Sequence, residues 1–92
     1  MPDQFSARLA RVVVAASGDD TVARTAARAL LMSGSEVVYL GDSQSIDQVA
    51  HSAIAEDAGS VVFDAPEQDI EQLRSVLESL GRPDVRVRNC GE

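Results

Sequence analysis

The stretch that decides the fold of this chain reads Val12-Val13-Val14-Ala15-Ala16-Ser17-Gly18-Asp19-Asp20-Thr21-Val22-Ala23. It starts as an apolar run, turns through Gly18 and continues into the Ala-rich beginning of a predicted helix. Continuous apolar runs are typical of parallel strands that are covered on both faces. A strand that turns through glycine into a helix forms the binding corner of an open α/β sheet, where ligands collect beyond the carboxyl ends of the strands. This corner is therefore the first candidate site.

The rest of the chain repeats the alternation of strand and helix, with short connections and no linker. Apolar runs predict strands at residues 12–16, 36–40, 60–63 and 85–88, and helical spacing of apolar residues predicts helices at 21–33, from 45 onward and at 67–80. This order predicts an α/β fold with a parallel sheet and right-handed crossovers. We expect one domain over residues 11–92, preceded by an N-terminal extension over residues 1–10.

Each predicted helix carries an apolar stripe or a boundary signal. The inward positions are Val22, Ala26, Ala29 and Leu30 in the first helix, and Ile70, Leu73, Val76, Leu77 and Leu80 in the third. The second helix begins at Ser45 and has Gln48 three residues later, which is the spacing of a capping box. Gly34, Gly59 and Gly81 follow the three helices, at positions where a left-handed backbone is often required.

Composition limits the partners that this chain can have. It has 92 residues, no lysine, and eight arginines against fifteen carboxylates, which gives a formal net charge of -7. This acidic balance argues against binding to nucleic acid or to an anionic membrane surface. No apolar stretch reaches the ~20 residues of a bilayer span, and the first residues do not read as a signal peptide. Cys90 is the only cysteine, so no intrachain disulfide is possible, and we expect a cytoplasmic protein.

The corner and the segments after it also carry a family resemblance. The corner contains Asp20-Thr21-Val22-Ala23-Arg24-Thr25, and it is followed in order by Gly34-Ser35-Glu36-Val37-Val38-Tyr39-Leu40-Gly41 and Gly81-Arg82-Pro83-Asp84-Val85. In order and spacing, these segments resemble the cobalamin-binding domain of the methylmalonyl-CoA mutase type. The resemblance implies a flavodoxin-like, Rossmann-like open parallel sheet of about four strands in the order 2-1-3-4, with helices on both faces.

The resemblance also implies where a cofactor crevice would lie. The matching positions are Ser17, Gly18, Asp20, Val22, Thr25, Asp64, Ala65 and Gly91. In the family's Asp-x-His-x-x-Gly corner, this chain has Val22 in place of the cobalt-ligating His and Thr25 in place of Gly. The family's Ser-x-Leu after the third strand is Asp64-Ala65-Pro66 here, and its Gly-Gly after the fourth strand is Cys90-Gly91. Carboxylates at this corner would repel the phosphodiester of the cofactor's tail, so we expect no bound cofactor.

A scaffold that keeps its order and loses its ligand motifs predicts a role in protein contact. We expect an accessory or protein-interaction subunit of a mutase-like complex, whose partner would be a mutase-like large subunit. The alternative is a genuine cobalamin-binding small subunit of a coenzyme-B12-type isomerase. No nucleophile is paired with a base in this sequence, so we expect no independent catalysis.

Asp19, Asp20 and Asp64 allow a second alternative. Two carboxylates after the first strand and one after the third resemble the site at which receiver domains of response regulators hold Mg²⁺ and accept a phosphoryl group. Oxygen ligands suit Mg²⁺, but receivers also use a Lys, which this chain lacks. The interpretation that we favour is structural: Asp19 or Asp20 caps the first helix and Asp64 caps the third. No metal site is predicted.

The last predicted strand, Val85-Arg86-Val87-Arg88, alternates strictly between apolar and charged residues. One of its faces should therefore meet solvent. Only four residues follow it, so we expect its outer edge to be unpaired, and unpaired edges invite pairing with another chain. The sequence predicts contact with a protein partner, or a homodimer in which two antiparallel copies of residues 85–88 join two sheets around a two-fold axis.

Overall fold

A computed structural model describes residues 11–90 of the chain, which form one parallel sheet with three helices. In chain order the elements are β1 (Arg11–Ala16), α1 (Thr21–Met32), β2 (Glu36–Gly41), α2 (Ile46–Ala55), β3 (Ser60–Asp64), α3 (Glu67–Ser79) and β4 (Arg86–Asn89). The strand order is β2-β1-β3-β4 and every pair is parallel. The predicted α/β class, flavodoxin-like topology and 2-1-3-4 order are confirmed. The N-terminal extension predicted at residues 1–10 lies outside the described residues.

The two faces of the sheet are covered unequally. On one face, α2 and α3 bury the larger part of the core, which includes Val13, Val61, Phe63, Ile70, Leu73 and Leu77. On the opposite face, α1 alone covers a smaller cluster formed by Val12, Val14, Ala16, Ala23, Ala27 and Val62. Within residues 11–90, no helix is long and apolar enough to cross a bilayer.

The alternation predicted for the last strand is confirmed. Val85 and Val87 are buried in the cluster under α3, whereas Arg86 and Arg88 are exposed. Because successive side chains of a strand point to opposite faces, the two arginines lie on the face that carries α1. On that face, the part of the sheet next to β4 therefore carries two arginines and is only partly covered by α1.

The boundary of α2 follows the sequence closely. The Ser45 hydroxyl accepts from the Gln48 backbone N–H at 3.1 Å, and Gln48 Oε1 accepts from the Ser45 N–H at 2.8 Å. Both halves of the predicted capping box are present, so two backbone donors that the helix leaves unpaired are satisfied. The prediction for α2 is confirmed down to the atoms.

The left-handed positions were predicted correctly at two of three glycines. Gly34 (φ 95) and Gly81 (φ 84) follow α1 and α3. After α2, however, the residue with positive φ is Asp57 (φ 50), so the prediction for Gly59 is wrong. Asp57 also pairs with Arg82 at 3.1 Å. Asp tolerates this conformation better than most residues, and two backbone hydrogen bonds of the Schellman type require it here, from Asp57 N–H to the Ile54 carbonyl at 3.0 Å and from Ala58 N–H to the Ala53 carbonyl at 2.9 Å.

The inward stripe predicted for α1 is wrong at Val22 and Ala29, whereas Ala26 and Leu30 do pack against the cluster on this face. Ala23 and Ala27 are its buried residues, whereas Val22 is 48% exposed and Ala29 is exposed. Because Ala23 and Ala27 are small, α1 can pack closely against the sheet through them. The larger apolar residues of α1 then lie at the edges of the interface between helix and sheet. The third helix fits its prediction except at Leu80, which is exposed because α3 ends at Ser79.

Candidate functional site

Three loops meet at the carboxyl end of the sheet. The backbone N–H and the hydroxyl of Ser17 both donate to the carbonyl of Asp64, at 3.0 and 3.2 Å. The loop after β2 joins them, because Ser43 N–H donates to the Gly18 carbonyl at 3.1 Å and Gln44 N–H to the Ala16 carbonyl at 2.9 Å. The structure thus brings together the predicted positions Ser17, Gly18 and Asp64. Backbone groups of these three residues take part in hydrogen bonds that join the loops.

Asp19 and Asp20, which precede α1, have different roles. Asp19 Oδ2 accepts from the Thr21 backbone N–H at 3.1 Å, and hydrogen bonding to Thr21 lowers the pKa of Asp19. Asp20 stands at the N-cap position, but its side chain accepts no capping hydrogen bond from a backbone N–H of the helix. Of the two predicted caps, Asp19 is therefore the one whose carboxylate satisfies a backbone donor at the beginning of α1.

Asp20 instead joins α1 to the neighbouring strand. Its Oδ2 accepts from the Tyr39 hydroxyl at 2.7 Å, and its Oδ1 lies 3.4 Å from Arg24 Nε. Partial burial and the hydrogen bond to Asp20 raise the pKa of Tyr39 to about 12. Sequence analysis missed this contact. Its one available signal was the position of Tyr39 near the carboxyl end of a strand, where side chains converge on the corner.

Asp64 does not cap the third helix. The N-cap residue of α3 is Pro66, which has no side-chain cap bond, and Asp64 is the last residue of β3. The prediction is wrong because β3 continues one residue further than expected and the helix begins only at Glu67. Glu67 and Asp69 supply the acidic side chains of the first turn, where they favour the positive end of the helix dipole.

The remaining predicted crevice positions have separate surroundings in the structure. Val22 is half-exposed on the first turn of α1, and the Thr25 hydroxyl donates to the Thr21 carbonyl at 3.3 Å. Ala65 is buried in the core, and its carbonyl accepts from Asn89 Nδ2 at 2.7 Å. The prediction for Gly91 lies outside the described residues.

These residues do not fit cobalamin. The position of the family's cobalt ligand holds Val22, whose half-exposed side chain has no lone pair to donate. The carboxylates of Asp19 and Asp20 lie beside it, and Asp20 is already committed to Tyr39 and Arg24. A phosphodiester would meet negative charge here, and the neighbouring Arg24 already pairs with Asp20.

The receiver-like alternative needs three carboxylates around one cation. Among residues 11–90, no three His, Cys, Asp or Glu side chains are grouped so that they could share a metal ion. Asp19 and Asp20 have the separate partners given above. Asp64 lies near Cys90, which follows the neighbouring strand β4. Burial and the negative charge of Asp64 together raise the pKa of the Cys90 thiol to about 11. The geometry therefore does not favour a phospho-acceptor site.

The outer edge of β4 is less open than the sequence predicted. The Arg86 N–H donates to the Gly59 carbonyl of the neighbouring chain segment at 3.1 Å. The backbone N–H and carbonyl groups of successive residues in a strand point in alternate directions. The N–H and carbonyl of Val87 therefore point away from β3, toward the outer edge of the sheet. Arg74 of α3 reaches around this edge, and its Nη2 donates to the Val87 carbonyl at 2.8 Å while Nη1 pairs with Glu71 at 2.6 Å. The prediction of a fully unpaired edge is therefore wrong at the Val87 carbonyl.

A groove lies between α1 and β4 on the less covered face of the sheet. It has a volume of about 260 Å³, and its lining includes Ala26, Ala29, Leu30, Val62, Arg88 and Cys90. The floor is apolar, and Cys90 contributes a half-buried thiol. Arg88 forms one wall, with Arg86 two residues earlier on the same face.

Comparison with known proteins gives no family for this chain. No protein-family model matches it, and no curated protein matches it significantly. The resemblance to the cobalamin-binding domain therefore stays a prediction that rests on the residues quoted from the sequence.

Proposed function

We propose that this chain is a protein-interaction or accessory subunit of a mutase-like complex, built on a cobalamin-binding type of scaffold that holds no cobalamin. Its partner would be a mutase-like large subunit, in the cytoplasm, where the lone thiol of Cys90 stays reduced. One observation carries the proposal: the binding corner is closed by its own contacts. Ser17 bonds to Asp64 and Asp20 bonds to Tyr39. In this chain, the groups at the usual ligand site of the fold therefore stabilise the fold itself.

The distribution of charge supports protein contact over other kinds of partner. The chain has a net charge of -7, which disfavours phosphate-rich partners. Apolar side chains are nevertheless exposed on α1, where Met32 is 83% exposed, and such side chains are available for contact with another protein.

The edge of β4 is the place that we propose for self-association. Val87 N–H points outward, and two antiparallel copies of β4 would form a continuous eight-stranded sheet with two-fold symmetry. Arg74 opposes this pairing because it holds the Val87 carbonyl. A homodimer through this edge therefore requires Arg74 to release Val87.

The experiment that tests the proposed function is retention of cobalamin. Purified protein is mixed with cobalamin and desalted, and its visible spectrum is recorded. We expect the protein fraction to be colourless. A cobalamin spectrum at near-equal stoichiometry would instead support the alternative function, a cobalamin-binding small subunit of an isomerase. A second arm measures association with a mutase-like large subunit by sedimentation, where a complex is expected.

A further inference from the structure

The groove between α1 and β4 has an apolar wall at helical spacing. On the side of α1 that faces β4, its lining includes Ala26, Ala29 and Leu30, which follow each other at i, i+3 and i+4. One turn of a helix rises about 5.4 Å, so these residues form a short apolar wall. Val62 and Cys90 supply the floor beneath it.

The opposite wall of this groove is basic. Arg86 and Arg88 are exposed on β4, and neither forms an ion pair within residues 11–90. Four other arginines in that range do, each with a carboxylate of this chain: Arg11, Arg24, Arg74 and Arg82. In a chain with a net charge of -7, two arginines that lie two residues apart and have no acidic partner in the described part of the chain leave a local positive charge beside an apolar floor.

A second copy of this chain does not complement the groove. In the described part, the apolar faces of α2 and α3 are buried in the core. The exposed surface of α1 carries Arg24 and Arg28, and its first turn has no acidic residue. Packing α1 of one copy into the groove of another would bring these arginines toward Arg86 and Arg88, and like charges oppose each other.

We propose that the groove between α1 and β4 binds an acidic amphipathic helix of another protein. The apolar side chains of this helix lie against Ala26, Ala29 and Leu30, and its carboxylates pair with Arg86 and Arg88. Helices recognised in grooves use apolar residues at i, i+3, i+4 and i+7, and charge complementarity at the rim sets orientation and excludes other partners. The inference rests on the proposed function, because it names the surface and the class of partner for that interaction.

The test uses a defined probe and the complete chain. The probe is a fluorescent synthetic helix with leucines at i, i+3, i+4 and i+7 and glutamates on both flanks of that stripe. A matched peptide has every Glu replaced by Gln. Binding is measured by fluorescence anisotropy at low ionic strength and again at ~0.15 M salt, where exposed charges are screened beyond about 8 Å. We expect the Glu peptide to bind, the Gln peptide to bind several-fold more weakly, and added salt to reduce the difference.

The variants Arg88→Glu and Arg28→Glu form a matched pair. Both reverse one exposed arginine and change the net charge equally, but Arg28 lies on the side of α1 that faces β2. We expect Arg88→Glu to weaken binding of the Glu peptide roughly tenfold and Arg28→Glu to leave it nearly unchanged. In amide NMR spectra, the peptide should shift the signals of Ala26, Ala29 and Cys90. Circular dichroism checks that each variant is folded.

Two results would overturn the inference. One is absence of binding by the Glu peptide, and the other is an equal loss in Arg88→Glu and Arg28→Glu. If the chain also forms the mutase-like complex and retains no cobalamin, the proposed function stands and only the assignment of this groove fails. If cobalamin is retained while the peptide does not bind, both fail.

Discussion

Tyr39 donates a 2.7 Å hydrogen bond to the carboxylate of Asp20, and this bond ties β2 to the beginning of α1. It spans 19 residues of sequence and lies at the corner where a ligand would be held in this type of sheet. Arg24 approaches the other oxygen of Asp20, so that the carboxylate is shared between a strand and a helix. The corner is thereby fixed by its own side chains.

Removing the Tyr39 hydroxyl should destabilise the fold. We expect Tyr39→Phe to lower the free energy of unfolding by about 1 kcal/mol, because the substitution keeps the ring and deletes one hydrogen bond to a carboxylate. Urea unfolding followed by circular dichroism measures the change. Asp20→Asn and the double variant complete a mutant cycle, and a coupling energy near zero would contradict a direct role for this bond.

The same bond predicts an alkaline loss of stability. The pKa of Tyr39 is raised from 10.0 to about 12 in the folded chain. Well below pH ~10 the phenol is protonated in both states, and its contribution is complete. As the pH rises from ~10 through ~12, the unfolded chain releases this proton before the folded chain does, so unfolding becomes more favourable. The stability difference between the natural chain and Tyr39→Phe should therefore shrink over this range. A difference that stays constant would show that Tyr39 titrates normally.

The fold could be predicted from sequence because its signals are local. Apolar runs, helical spacing and the Ser45–Gln48 box each depend on residues that are near one another in the chain. The position of α1 on the sheet was not predictable in this way, because Ala23 and Ala27 carry little hydrophobic signal and yet set the closest contact. Close approach of small side chains is decided by the packing of the partner surface rather than by the apolar stripe.

The site was less predictable because its contacts are long-range. Tyr39 reaches Asp20, and Arg74 reaches a backbone carbonyl 13 residues away at the edge of the sheet. No spacing rule relates such residues. Asp64 was predicted wrongly for a different reason. Its position in the sequence suits a helix cap, but β3 extends to include Asp64, and α3 begins only at Glu67.

Two substitutions compare Ser45, which caps α2, with Asp64, which caps no helix. Ser45→Ala should cost about 1 kcal/mol of unfolding free energy, because it removes the side-chain acceptor of the capping box on α2. Asp64→Ala should cost less than about 0.5 kcal/mol, since the Asp64 side chain caps no helix and surface substitutions away from such features are nearly neutral. Urea midpoints of the two variants give the comparison. A cost for Asp64→Ala equal to that for Ser45→Ala would restore Asp64 as a cap.

Restoring the family's corner motif should not restore cobalamin binding. The variant Val22→His with Thr25→Gly supplies the missing ligand, but the contacts of Asp20 with Tyr39 and of Ser17 with Asp64 remain. We expect its visible spectrum after mixing with cobalamin and desalting to equal that of the natural chain. Thr25→Gly alone is the matched control, because glycine inside α1 costs about 1 kcal/mol of stability by itself. Retention of cobalamin by the double variant would show that the ligand, and not the closed corner, was limiting.

Arg74 should limit pairing at the edge of β4. Its guanidinium donates to the outward carbonyl of Val87 and is held by Glu71, and side chains that occupy the backbone groups of an edge strand protect it from other chains. Arg74→Ala leaves that carbonyl free, so we expect this variant to self-associate more strongly than the natural chain. The expected gain is about tenfold in the dimerisation constant, which corresponds to one hydrogen bond of roughly 1.4 kcal/mol.

Sedimentation velocity over a micromolar concentration series measures this gain. Arg28→Ala is the control, because it removes the same charge from an exposed site on α1 that does not touch β4. Adding Val87→Pro to Arg74→Ala should return the chain to the monomer, because the N–H of Val87 points outward and proline deletes this donor without breaking the ladder to β3. If Arg74→Ala and Arg28→Ala associate equally, the effect belongs to charge alone and the edge is not the surface through which two copies meet.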